Sequence, residues 1–215
     1  RGTVPEGNLA AVVGTRNPTE SGELITQGLI SFLVNSGYGI VSGLAKGIDT
    51  CAHEQTLINS GKTWAYLGSG VDVPSPTENC DLADRIVASG GGLLSEVNLG
   101  ERASSYSLVA RDRLQSGSSQ FTIIAQSGIP SGTLHTARFT IEQNRPLLAV
   151  APPEEELSDP AWAGNEALLD LNGCGPEILN ATGKVGERIA LRRPVADYLI
   201  SQPSDLSPVI QTTQQ

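Results

Sequence analysis

Val41-Ser-Gly-Leu-Ala-Lys-Gly-Ile-Asp-Thr-Cys-Ala-His53 decides the fold. Its apolar start closes a buried strand, and Ser42-Gly43-Leu44-Ala45-Lys46-Gly47 forms a turn of small residues. Ile48 then opens a helix that carries Asp49 and His53 four positions apart, on one face. A strand that feeds a glycine-containing turn and then a helix is half of a parallel βαβ unit. The turn also leaves backbone N–H groups at a helix N-terminus, where they and the helix dipole favour an anion. The stretch therefore reads as part of a parallel sheet that takes a phosphate-bearing ligand.

Short apolar runs alternate with helical patterns outward from this unit. Leu9–Gly14, Gly39–Ser42, Thr63–Leu67, Gly92–Ser95, Phe121–Ala125 and Leu147–Val150 read as strands. Helices are predicted over Thr19–Asn35, Ile48–Ser60, Glu78–Ala88 and Thr133–Asn144. Thr19 or Ser21 caps the first, with Leu24, Ile25, Leu29, Phe32 and Leu33 facing inward. Strands that are apolar throughout need cover on both faces. The expected fold class is α/β: a doubly wound, mostly parallel, extended Rossmann-like sheet.

The expected division is a main domain over 1–175 and a C-terminal extension over 176–215, partly extended or disordered. Pro152-Pro-Glu-Glu-Glu156 reads as an exposed turn, and Asn165–Leu171 as one further helix. Ala190–Gln202 reads as a remnant of a winged helix, and the Ser-, Thr-, Gln- and Pro-rich chain from Pro203 onward as a disordered or extended tail.

With 215 residues the chain can bury an ordinary core. No apolar run approaches the roughly 20 residues of a membrane helix, and no secretory signal is read at the N-terminus. The absence of Met marks the chain as an expected piece of a longer protein. Cys51, Cys80 and Cys174 are odd in number and lack CxxC spacing, so they are expected to be reduced cytoplasmic thiols with buried, structural roles. The net charge of −9 argues against a generic nucleic-acid binder. Residues 1–150 carry 10 basic and 13 acidic side chains and residues 151–215 carry 4 and 10, so most of the acidity lies outside the motif-bearing segment.

Ligands of such sheets sit beyond the C-terminal ends of the strands. The residues delivered there are Gly14-Thr15-Arg16, Ser42–Gly47, Gly68-Ser69-Gly70, Ser95-Glu96 and, at a helix start, Ser131-Gly132-Thr133. Each has a plainer role open to it. Gly43 and Gly47 fit helix–sheet packing, Arg16 a surface ion pair, Lys46 a solvated loop, and His53 a satisfied core histidine. Asp49 suits the helix dipole and orientation of the Ser42–Gly47 turn better than acid–base work. The convergence of all of them on one edge favours a site. Gly-Thr-Arg-Asn-Pro18 is not G-x-G-x-x-G, and Gly61-Lys62-Thr63 precedes a strand rather than a helix, so neither a dinucleotide fold nor a P-loop is read. His53 and His135 without paired Cys make zinc an unsuitable occupant.

Val13-Gly-Thr-Arg-Asn-Pro18, the Val41–His53 stretch, Leu67-Gly-Ser-Gly-Val-Asp-Val73, Leu94-Ser-Glu96, Arg111-Asp-Arg113, Ser131-Gly-Thr-Leu-His-Thr-Ala137 and the Glu142/Arg145 pair occur in that order. This series resembles the DprA/Smf family of DNA-processing proteins from about Leu9 to Gly173. The resemblance implies a non-catalytic, cytoplasmic, usually homodimeric protein that binds single-stranded DNA and loads a RecA-type recombinase during natural transformation. No cofactor, metal or membrane is implied. It also implies DNA-phosphate or nucleotide contacts at Gly14, Thr15, Arg16, Ser42, Gly43, Lys46, Gly47, Gly68, Ser69, Gly70, Arg111, Arg113, Ser131, Gly132 and Thr133. Asp49, His53 and Glu96 are the expected orienting residues.

The chain departs from that family's pattern in Ser104-Ser-Tyr-Ser-Leu-Val-Ala-Arg-Asp-Arg113. Ser104 and Ser105 replace basic residues, Leu108 replaces a Phe, and Asp112 replaces an Asn. A lost ring costs about 1–3 kcal/mol per stacked base, and Tyr106 is the nearby candidate substitute. These departures keep a second reading open, a small-nucleotide binder or sensor on the same fold. A third is an interaction protein that works through its acidic segment after Pro152. Ile129-Pro-Ser-Gly-Thr-Leu-His-Thr-Ala137 lacks the Glu that the related LOG-type phosphoribohydrolases carry at this helix start, so N-glycosidase chemistry is not expected.

Overall fold

A computed structural model of the chain describes residues 1–171 and 175–213. Cys174 lies outside the described residues. Seven strands form one parallel sheet: β1 (Leu9–Val13), β2 (Gly39–Ser42), β3 (Thr63–Tyr66), β4 (Gly92–Leu94), β5 (Phe121–Ile124), β6 (Leu147–Val150) and β7 (Tyr198–Ile200). They run in the order β4-β3-β2-β1-β5-β6-β7. The register pairs Leu9 with Gly39 on one side of β1 and Ala10 with Phe121 on the other. The α/β, doubly wound Rossmann-like class expected from the apolar strands is the class observed.

Alternation along each strand sends residues to opposite faces. Ala10, Val12 and Ile40 pack with Leu29, Ile30 and Leu33 of α1 (Glu20–Asn35) and with Ile48 and Ala52 of α2 (Ile48–Ile58). Ala65, Leu67 and Leu93 continue that face under α3 (Cys80–Ala88). On the other face, Leu9, Val41, Trp64 and Tyr66 meet Leu114 of α4 (Ser105–Ser118). There Val13, Ile124 and Leu147 also meet Leu134, Ala137 and Ile141 of α5 (Thr133–Glu142). After β6 come α6 (Ala163–Leu168), α7 (Gly183–Ala190) and α8 (Ser207–Thr213). The connection after β1 therefore turns to one face and that after β5 to the other. Between these neighbouring strands lies a crevice, the switch point at which such sheets hold ligands.

Three sequence expectations change in the last third of the chain. The helix expected at Asn165–Leu171 runs over Ala163–Leu168. The stretch read as a winged-helix remnant supplies β7, which pairs Ala149 with Leu199 at the sheet edge. The expected disordered tail is a 3-10 turn at Pro203–Leu206 followed by α8, whose Val209 and Ile210 join Leu206 in the core against α1's face. Those apolar residues, spaced three and four apart, outweigh the polar composition around them.

Candidate functional site

Three helices, α1, α2 and α5, begin at the crevice edge, and each start leaves N–H groups without intrahelical partners. At two of the three, one of the protein's own carboxylates stands close by. At α1, Thr19 caps Gly22 N–H, while Ser21 Oγ donates to Glu156 Oε1 at 2.5 Å and Thr19 Oγ1 to Glu156 Oε2 at 3.1 Å. The hydrogen bonds from Ser21 and Trp162 hold the Glu156 carboxyl below its ordinary range.

At α2, the Ser42–Gly47 turn does not face an open anion site. Its N–H groups of Gly43 and Ala45 both donate to Asp49 Oδ2, each at 3.2 Å. Ile48 N–H donates to Thr15 O at 3.1 Å. Asp49 is buried, and burial raises its pKa against the opposing pull of Arg111 and these two N–H groups. Asp49 thus bonds the N–H groups of the turn itself, and the turn's anion is internal. Gly47, at φ +74, brings the helix start against Arg16, since a Cβ there would lie 2.4 Å from Thr15 O.

At the third start, Leu134 and His135 N–H turn back to Ser131 O at 3.3 Å and Gly132 O at 3.0 Å, and among the described residues no carboxylate stands against it. Ser131, Gly132 and Thr133 of α5 line a cavity of about 480 Å³ at the switch point. No acidic residue stands in the first turn of α5, and Ser131 Oγ accepts from Thr133 N–H at 3.2 Å. Opposite, the cavity is walled by Gly14, Thr15 and Arg16 from the end of β1, by Ala45 and Asp49, and by one side of α4. α4 starts on Ser104, whose hydroxyl and that of Ser107 form reciprocal caps, and Ser107 Oγ also donates to Gly68 O at 2.6 Å. This helix was not read from the sequence. Val109 and Gln115 are the wall residues missed with it, Ser105, Leu108 and Asp112 having been read only as departures from the family pattern, and the Ser104/Ser107 spacing is the signal that marked its start.

Arg111 of α4 is 8% exposed. Its Nη1 donates to Tyr66 O at 3.0 Å. Its Nε lies 3.2 Å from Asp112 Oδ1, out of line, so this buried N–H has no hydrogen-bond partner. Arg16 is exposed, and among the described residues its side chain makes no ion pair or hydrogen bond. Asp112 is raised to about 7 by burial, with Arg111 and Arg16 opposing and Asp49 adding to the rise. The cavity thus presents Arg16, Arg111 and the carboxylate-free start of α5 to a ligand.

Other expected site residues lie outside this lining. Lys46 Nζ pairs with Glu78 at 2.6 Å, and Arg113 pairs with Glu96 at 2.5 Å, all four on the surface. Gly68 lies under Leu108, and Ser69 Oγ donates to Val73 O at 2.8 Å within its own turn, which also contains Gly70. Ser42 Oγ donates to Val12 O at 2.7 Å, inside the sheet. His53 lies one helical turn further from the edge, fully buried, with Nδ1 2.7 Å from Thr63 Oγ1. Thr63 gives its own hydroxyl hydrogen to Ile40 O, so His53 Nδ1 carries the proton and Nε2 has no partner. Burial, with Arg111 nearby, lowers His53 to about 3 and keeps it neutral. The orienting role expected for His53 is corrected to a core contact between α2 and β3.

The family model for DNA recombination-mediator protein A matches residues 1–175. The chain belongs to that family. A Smf protein of Synechocystis is 39% identical over 139 residues, 65% of this chain and 35% of its own length. The structure of DNA processing protein A from Streptococcus pneumoniae superposes with a TM-score of 0.73 at 30% identity, covering 93% of this chain and 60% of the other. That of Helicobacter pylori DNA processing protein A, described for its single-stranded DNA binding mode, superposes at 0.67 with 28% identity, covering 85% and 79%. The chain spans about a third to a half of the length of the curated relatives it matches. Among the described residues, no helix is long and apolar enough to cross a membrane.

Proposed function

We propose that this chain is a non-catalytic single-stranded DNA-binding unit, and that the switch-point cavity holds one backbone phosphate between Arg16, Arg111 and the start of α5. The observation that carries this reading is the contrast among the three helix starts. Glu156 stands on the hydroxyls of Thr19 and Ser21 at α1, and Asp49 on the turn that precedes α2, while the start of α5 has no carboxylate and shares its cavity with the two arginines. A preformed N-terminus with cations opposite is a phosphate site by electrostatics alone. Family membership and the Helicobacter pylori neighbour support DNA as the source of the phosphate. Gly14, Thr15, Ser131, Gly132 and Thr133 shape the pocket. Tyr106, 84% exposed beside the wall residue Ser105, offers a ring to an adjacent base. In this reading the bound strand passes to a RecA-type recombinase in recombination or DNA uptake, in the cytoplasm, with a second copy of the chain as partner. Fluorescence anisotropy of a labelled oligothymidylate at low salt tests it. Binding that Arg16→Ala weakens supports the proposal, and absence of binding refutes it.

A second reading, a small-nucleotide binder, draws on two observations. Lys46 and Arg113, which would extend a cationic track for a strand, are each neutralised by a carboxylate. The cavity also falls within the size range of pockets for a single small ligand. A thermal-shift panel of mononucleotides separates the two, since a response to nucleotides without one to oligothymidylate favours the second.

A further inference from the structure

The cavity gathers charge from three elements: Arg16 from the loop after β1, Asp49 from α2, and Arg111 with Asp112 from α4. With all four ionised these charges cancel, and the pocket has no net attraction for an anion. Asp49 is committed to the turn through the N–H groups of Gly43 and Ala45. Asp112 is not. It is 8% exposed, lies on the cavity wall, and among the described residues its carboxylate accepts no hydrogen bond. Its nearest charge is Arg111 Nε at 3.2 Å, out of line. A buried carboxylate without donors is a poor ion and holds its proton.

From this placement we infer that Asp112 sets the ligand class of the site. It enters the complex as the neutral acid, donates a hydrogen bond to a phosphate oxygen, and so selects the singly charged phosphodiester of a nucleic-acid backbone over a doubly charged terminal phosphate. The inference rests on the DNA reading of the cavity. With Asp112 protonated, and Asp49 ionised on its two N–H donors, the pocket carries one net positive charge, which a single diester charge matches. A phosphomonoester at neutral pH brings about 1.5–2 negative charges, and the second finds no counter-charge. Where the free carboxyl is ionised, one proton from solvent accompanies each phosphate bound here, and no bond of the ligand is made or broken. The groups facing Asp112 pull both ways, and burial outweighs the rest. Burial, the largest effect, and Asp49 favour the acid, while Arg111 and Arg16 oppose it. His135, on the α5 wall, is held below its ordinary pKa by burial and by Arg138, so it adds no charge at neutral pH.

The test is titration calorimetry of the wild-type chain with an oligothymidylate lacking terminal phosphates, in buffers of different ionisation enthalpy, and in parallel with thymidine monophosphate and inorganic phosphate. The expected result is proton uptake that rises from near zero well below neutral pH towards one per occupied site above it, with affinity falling up to about tenfold per pH unit above neutrality. Thymidine monophosphate and inorganic phosphate should bind more weakly. Asp112→Asn should bind the oligonucleotide with a flat pH profile. DNA binding without proton uptake above neutral pH, or tighter binding of the monophosphate, overturns the inference and leaves the DNA reading standing. No oligonucleotide binding at any pH overturns the DNA reading itself, and the inference with it.

Discussion

The guanidinium of Arg111 occupies the space that Gly43 leaves by having no side chain, for a Cβ on Gly43 would lie 1.5 Å from Arg111 Nη1. The glycine of the Ser42–Gly47 turn thus serves a cation delivered by α4 from the opposite face of the sheet. Gly43→Ala should expel the guanidinium and break its bond to Tyr66 O. The expected cost is about 1–3 kcal/mol of stability, together with loss of phosphate binding. Thermal denaturation and oligonucleotide anisotropy check both, and an unchanged variant would remove Arg111 from the site.

Asp49 holds the same turn through one oxygen that accepts two N–H groups. Asp49→Asn retains an oxygen able to accept both, whereas Asp49→Ala leaves both donors unpaired in a buried place. Urea denaturation should show a loss of roughly 1–3 kcal/mol for Asp49→Ala and clearly less for Asp49→Asn. Equal losses would point to the charge rather than to the hydrogen bonds.

Asp112 and His53 give stability opposite dependences on pH. Asp112 rises from 3.8 to about 7 in the folded chain, so its carboxyl holds a proton that the unfolded chain has lost, and its contribution falls as pH rises from about 4 to 7. His53 drops from 6.5 to about 3, so the unfolded chain takes up the proton first and stability is lost as pH falls through that interval. Asp112→Asn should therefore gain stability above neutral pH, by at most roughly 4 kcal/mol at 1.36 kcal/mol per pKa unit. The gain should vanish near pH 4. His53→Gln should show a shallower acid loss than the wild type. Melting curves of the three proteins across pH decide, and parallel profiles would contradict both assignments.

The sheet was legible because its strands are apolar without interruption, and α1 because Thr19 precedes a regular inner face of Leu29 and Leu33. What escaped reading has specific causes. α4 carries few apolar residues because one side of it faces the cavity, and only its Ser104/Ser107 cap betrayed it. The polar sequence around α8 hid the three residues that anchor it. Asp49 and His53 look alike on the helix, yet only the folded structure shows that one reaches the turn and the other Thr63. The anion of the Val41–His53 stretch proved to be its own Asp49, a pairing that spacing alone does not reveal.

The anchoring of the C-terminal segment yields a further prediction. Leu206 is fully buried against the α1 face. Leu206→Ala should cost about 2–5 kcal/mol and expose residues beyond Ile200 to protease before the rest of the chain. Equal protease resistance in variant and wild type would mean that the segment does not belong to the core.

The carboxylate-free start of α5 is where the phosphate reading stands or falls. A Cβ at Gly132 meets nothing within 4 Å, so Gly132→Asp adds a carboxylate at the site without a steric cost. The measurement is the affinity of a labelled oligothymidylate for wild type, Gly132→Asp and Arg16→Ala over a range of salt concentrations. Both variants should melt like the wild type and bind at least about tenfold more weakly. Arg16→Ala should also show a shallower salt dependence, by about 0.7, because one phosphate of the strand is no longer neutralised. Wild-type affinity in Gly132→Asp, with its salt dependence unchanged, would contradict a phosphate at this helix start.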